Sequence, residues 1–209
     1  MYMTRIWLKR QPAANTVHSI LSSAFPGKRC KTTNASIWRI DRISDSLALI
    51  IVSTNPPDLL YLIDTVGSKV PKPLAINDGT QVGKTVEYDR FLSQVENNQS
   101  WHFRLCANPV EHKKLSPADR RGKVFALQSV EKQLAWLDRQ GSKYGFAASS
   151  SSVIDDSWIM FDKTRIRSVT FDGILTVTDA DSLRLALSQG IGRGKAYGCG
   201  LLTIAKVLT

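Results

Sequence analysis

Apolar spacing in this chain switches between period two and period 3.6 in the same order twice, and nothing else in the sequence restricts the fold as much. Residues 2–8 alternate as a strand. Val17, Ile20, Leu21 and Ala24 follow at helical spacing, behind Asn15 as the expected N-cap and ahead of a stop at Pro26-Gly27. Residues 35–40 and 47–54 read as two strands around a turn at 42–46. Pro56-Pro57 precedes a short apolar helix over 59–66, residues 69–83 read as a loop, and 85–88 as a closing strand.

The order then repeats. In residues 100–107, Trp101, Phe103 and Leu105 face one way and His102, Arg104 and Cys106 the other, and Pro109 closes the strand. Residues 112–123 read as a polar, basic loop. An amphipathic helix follows over 130–139, with its stop at Gly141. Residues 153–161 and 166–177 read as strands joined by 162–165. Asp179 or Asp181 caps a helix carrying Leu183, Leu185 and Leu187, and 201–207 read as a last apolar strand. Strand-helix-strand-strand-helix-strand, met twice, predicts an α+β protein of two tandem ferredoxin-like (RRM-like) domains, residues 1–90 and 91–209. A length of 209 residues with 43% apolar side chains suits two such units, each with its own core.

Between the last helix and the last strand stands Gly190-Ile191-Gly192-Arg193-Gly194-Lys195-Ala196-Tyr197-Gly198-Cys199-Gly200. Glycine admits positive φ and close backbone approach, so successive N–H groups here can turn towards one anion beside Arg193 and Lys195. A Walker loop fails, because Ala196 stands where Ser or Thr belongs. A dinucleotide fingerprint also fails, because Lys195 takes the third glycine's place and the helix precedes the strand. Two readings remain: a phosphate-binding loop, or a helix-to-strand connection with a glycine cap.

The formal charge is +10 and the pI about 9.7, which points to a polyanionic partner. The first 100 residues carry 12 basic and 8 acidic side chains and the rest 16 and 10, so the excess belongs to the folded body rather than a tail. Cys30, Cys106 and Cys199 form no C-x-x-C pair and read as reduced thiols of a cytoplasmic protein. Residues 1–10 carry no apolar targeting core, and the longest apolar run, 47–52, is far short of a membrane span, so no membrane partner is expected.

Histidine titrates near neutrality and can move a proton without a metal. His102 shares a strand face with Arg104, and His112 lies in the basic stretch. His18 sits early in a helix, shortly before Lys28, Arg29 and Lys31. From spacing alone it is either a half-exposed helix histidine or a proton-transfer group beside phosphate-binding cations. Asp155-Asp156 reads as a polar turn and Asp179 with Asp181 as a helix start, so neither pair suggests a metal. No H-E-x-x-H or G-x-S-x-G motif is present. The expectation is a site without metal or cofactor. The basic residues fit backbone contact with a folded RNA, since A-form duplexes are read by shape and phosphate.

The glycine stretch reads G-φ-G-x₅-G-φ-G, and with it the chain resembles the repeat-associated RNA-binding proteins of CRISPR systems. Four further stretches make it similar to the CasE-type CRISPR RNA-processing endoribonucleases. These are His18 with its helix to Phe25-Pro26, Phe103-Arg104-Leu105-Cys106-Ala107-Asn108-Pro109, residues 131–137, and Phe171-Asp172-Gly173-Ile174-Leu175. The resemblance implies metal-independent cleavage of the repeat hairpin of precursor CRISPR RNA. The ribose 2′-OH attacks the scissile phosphate, leaving a 2′,3′-cyclic phosphate and a 5′-OH. It implies His18 as general acid or base, and a hairpin grip by Lys113, Lys114, Arg120, Arg121 and Lys123 and by Arg165 and Arg167; Lys28, Arg29, Lys31, Arg104, Arg193 and Lys195 are read as further RNA contacts from their charge and place in the chain. It implies partners too: the repeat RNA, retained after cutting, and the other Cascade subunits, with a monomer expected outside that complex. Two positions depart from the family. Asn15 stands where a tyrosine is common, and Cys106 where the strand often has a second arginine. A non-catalytic hairpin-binding subunit on the same fold is the alternative that Asn15 favours.

Overall fold

The computed structural model describes residues 1–25, 36–68, 82–114, 116, 122–161 and 164–207. Both halves build the expected topology. β1 (Tyr2–Leu8), α1 (Ala14–Ser23), β2 (Ser36–Ile43), β3 (Ser46–Ser53), α2 (Leu59–Val66) and β4 (Gly83–Glu87) form the first, with antiparallel strand order β2-β3-β1-β4. A short helix, α3 (Asp89–Leu92), leads to the second. There β5 (Ser100–Ala107), β8 (Phe146–Phe161), β9 (Thr164–Val177) and β10 (Leu202–Lys206) form a sheet in the order β10-β5-β9-β8. In each sheet the fourth strand of the unit neighbours the first, the first the third, and the third the second, which is the ferredoxin-like order met from opposite edges.

Several boundaries differ from expectation for local reasons. α1 starts at Ala14 with Ala13 at the N-cap and no side-chain cap bond, so Asn15 lies in the first turn rather than capping it. The β2–β3 hairpin closes at Ser44-Asp45, where Ser44 takes φ +52, and is tighter than the turn expected at 42–46. Residues 112–123 are not a plain loop: β6 (Val110–Lys113) and β7 (Lys123–Ala126) pair as a two-stranded ribbon. α4 (Val130–Tyr144) passes through Gly141 and ends at Gly145, φ +73. Gly141 is there because a Cβ would lie 2.5 Å from the Phe146 carbonyl. β8 begins seven residues early. Its serine run and Asp155-Asp156 belong to an edge strand, bulged at Ala148/Ser150 and Val153/Asp155, and not to a turn.

α1 and α2 cover one face of the first sheet, burying Ile6, Leu8, Trp38, Leu49 and Ile51 against Val17, Ile20, Leu21 and Leu62. α4 and α5 (Ala180–Gln189) cover the second sheet over Phe103, Leu105, Phe171 and Leu175. Part of the opposite face of the first sheet is buried as well: Ile37 and Val52 join the second core beside Ile191, Leu201 and Leu202. One continuous apolar layer therefore links the two sheets through the glycine stretch.

Candidate functional site

α1 turns Val17, Ile20, Leu21 and Ala24 inward and leaves His18 exposed, its carbonyl accepting from the Ser22 hydroxyl at 2.9 Å. The helix packs against β8 and against a one-turn 3-10 helix, Lys195–Tyr197, inside the glycine stretch. Phe161, at the end of β8, also packs on that turn, its ring meeting Tyr197 edge-on at 4.7 Å. The fold thus brings the helix of His18 to the loop that carries Lys195, although 177 positions separate the two residues in the chain.

The glycine stretch takes positive φ at Gly190, Gly192, Gly194, Gly198 and Gly200. Its amides are mostly committed within the protein. Ile191 donates to Gly200 O, Tyr197 and Cys199 to Gly194 O, and Gly200 to Cys106 O. A Cβ on Gly198 would stand 2.7 Å from the Trp38 ring, and one on Gly192 would stand 3.2 Å from Trp136. These glycines let the backbone lie on two tryptophans, one from each unit, so close packing accounts for them before any anion does. Lys195 donates to the Gln189 carbonyl at 2.7 Å, and burial lowers its pKa. Arg193 is exposed, bridges Asn108, and places its guanidinium 3.5 Å from the His112 ring.

The remaining predicted cations fall into distinct settings. Lys113 and Lys123 face each other across the β6–β7 ribbon, with Lys113 paired to Glu111 at 2.7 Å and Lys114 exposed beyond it. Arg104 lies on the face of β5 away from α4 and is held by Asp172 at 2.6 Å. The long β8–β9 arm carries Arg165 stacked 3.8 Å over Trp158, and Arg167 bound by Asp156. Gln133, fully buried on α4, donates to Asp156 at 3.0 Å and braces that pair. Arg167, first, and Gln133 hold the Asp156 carboxyl below its ordinary pKa. Lys28, Arg29, Lys31, Arg120 and Arg121 lie outside the described residues. Among the described residues no cluster of three or more His, Cys, Asp or Glu side chains could hold a metal, and no helix is long and apolar enough to cross a membrane.

A family model described as CRISPR associated protein matches residues 1–206. The chain belongs to this CRISPR-associated family. It is similar to the CRISPR system Cascade subunit CasE of Escherichia coli (strain K12), 33% identical over 139 residues, covering 60% of this chain and 68% of that one. It is also similar to the CRISPR-associated endoribonuclease Cse3 of Thermus thermophilus, 29% identical over 98% of this chain and 100% of that one. The solved structure of Thermus thermophilus Cse3 bound to an RNA representing a pre-cleavage complex superposes with a TM-score of 0.77 at 22% identity, over 98% of each chain, and so shares the fold.

Reading the sequence of this CRISPR-associated chain missed Trp158, Gln133 and Arg39. Trp158 carried a faint signal, standing opposite Arg167 across a hairpin with Arg165 two residues nearer the turn. Gln133 carried none, because a polar residue on the buried side of α4 is explained by its acceptors, the Leu127 carbonyl and Asp156, the second 23 residues on. Arg39, an arginine between Trp38 and Ile40 in a strand, was visible as an anomaly without a visible partner.

Proposed function

We propose that the protein is a metal-independent endoribonuclease that binds the repeat hairpin of precursor CRISPR RNA and cuts it once. The observation that carries this is the packing of the exposed-histidine helix α1 on the glycine loop of a strongly basic chain, in a family whose full-length relative is named an endoribonuclease. The 2′-oxygen attacks phosphorus as its proton leaves, the bond from phosphorus to the 5′-oxygen breaks, and that oxygen takes a proton. The products are a 2′,3′-cyclic phosphate and a 5′-OH. His18 is the proton-transfer residue, as acid or base, and needs no partner beyond substrate and water to act. Arg193, Lys195, Lys113, Lys114, Lys123, Arg165 and Arg167 contribute the grip, with Lys28, Arg29, Lys31, Arg104, Arg120 and Arg121 as further candidates. The two units divide near residue 90, between the strands of the first sheet and those of the second.

The similarity to a Cascade subunit supports assembly with other Cascade subunits; retention of the cut guide RNA and a cytoplasmic monomer outside that complex belong to the same proposal. The unpaired thiols of Cys106 and Cys199 suit a reducing compartment. Asn15 in place of a phenol favours the second reading, a hairpin-binding subunit that does not cut. Labelled repeat RNA incubated with the protein in EDTA separates them. Cleavage predicts a single product with a cyclic phosphate end, abolished by one 2′-deoxy substitution at the cut. Tight binding with intact RNA at every pH would leave the second reading standing.

A further inference from the structure

Arg39 is 3% exposed, in mid-strand on β2, and every N–H it owns is bonded. Nε donates to Asp41 Oδ1 at 2.6 Å, and Nη2 to Asp41 Oδ2 and to Thr203 Oγ1, both at 2.8 Å. Nη1 donates to the carbonyls of Arg104 and Leu201, also at 2.8 Å each. One planar group therefore ties β2 of the first unit to β5 and β10 of the second.

Its neighbours carry the same junction. Ile37 Cδ1 lies 3.2 Å from where a Gly190 Cβ would be, and the Trp38 ring lies under Gly198. Trp38 also shares a core with Val17 and Leu21 of α1. Leu201, whose carbonyl Arg39 binds, is the residue on which the glycine loop leaves for β10. So β2 supports α1 and the loop together, and Arg39 sets where that block stands on the second sheet.

Apolar packing alone is non-directional, whereas a charged fork with five donors accepts one arrangement only. Stability does not explain the choice, because a buried ion pair replaced by apolar side chains of similar volume is often neutral for stability. We propose that Arg39 is a positioning residue for catalysis. It registers the cutting helix α1 and the glycine loop against the sheet that grips the RNA, and it does not itself touch the RNA. The inference rests on the cleavage reading above.

The test compares wild type with Arg39→Met and with Arg39→Met/Asp41→Leu. The double variant removes both charges and so keeps the fold if the single variant does not. Hairpin affinity, single-turnover cleavage and backbone amide exchange are read on each. Hairpin affinity should fall at most a few-fold, because only Arg193 and Lys195 of the gripping residues ride on the loop, while cleavage slows about ten- to a hundredfold, the scale set by an ångström-sized misplacement. Exchange should rise at Ile191 and Gly200, whose amides close the loop, with β8 and β9 unchanged. The proposal is overturned by a folded variant that cuts and exchanges like wild type. It is also overturned if affinity and cleavage fall together in proportion to the folded fraction, or if neither variant folds. Wild type that binds but never cuts sinks the cleavage reading instead, and the exchange experiment still reports on the junction by itself.

Discussion

Gly198→Ala puts the packing account of the glycine loop under direct strain. Gly198 sits at φ +86, where a side chain costs about 1–2 kcal/mol relative to glycine. The added Cβ also lands 2.7, 2.9 and 3.2 Å from three atoms of the Trp38 ring. That ring is 5% exposed in the layer with Val17, Leu21 and Leu49, so it has no room to swing away, and overpacking of this kind costs about 1–3 kcal/mol. Together the loss is about 3 kcal/mol, or roughly 6–12 °C in Tm for a chain of this size. Gly192→Ala is the matched control. Its φ is +75, but its Cβ meets only the outer edge of Trp136, at 3.2 and 3.5 Å, so the strain of positive φ dominates and the loss is about 1–2 kcal/mol. Thermal and urea unfolding of the two proteins check the ranking. If Gly198→Ala is no less stable than Gly192→Ala, the loop does not rest on Trp38 as described.

Two further predictions concern the β8–β9 arm. Arg165 has no acidic partner among the ion pairs of the described residues and lies on Trp158. Arg165→Ala should therefore lower hairpin affinity and reduce the slope of log K against log salt by about one, measured by filter binding at several salt concentrations. The Asp156 carboxyl is depressed by Arg167 and Gln133. Its contribution to stability is thus fully present above the ordinary carboxylate pKa of about 4 and is lost as pH falls through the lower folded value. Urea midpoints from pH 6 down to pH 2 should fall more steeply for wild type than for Asp156→Asn, and parallel curves would contradict the pairing.

How much of this was legible in the sequence depends on the range of the interaction. β5 was found to the residue because Trp101, Phe103 and Leu105 alternate strictly and Pro109 stands two residues past the strand's last, Ala107. α2 was found because Pro56-Pro57 precedes its short apolar run; its cap, Asp58, which accepts from Tyr61 N, was not singled out. The first half of β8 was hidden, because serines on a bulged edge strand give no period-two signal. The β6–β7 ribbon was hidden behind its own charge. Gly141 looked like a stop and is instead a site of close approach to Phe146. For the candidate site, the glycines announced unusual backbone but not its reason: the rings they accommodate, Trp38 and Trp136, come from elsewhere in the chain. His18 was visible as a residue type at an exposed helix position, while its proximity to the loop was not. Arg39 shows the limit best, since its acceptors beyond Asp41 lie 65, 162 and 164 residues away.

In the proposed reading His18 on α1 cuts, and basic residues that lie mostly in the second unit grip. Single-turnover cleavage of end-labelled repeat RNA by His18→Ala, with hairpin affinity measured on the same preparation, tests it most directly. The cleavage rate should fall by about 10²–10⁴-fold with affinity unchanged. Cleavage at the wild-type rate, or a loss of affinity that matches the loss of rate, would contradict it.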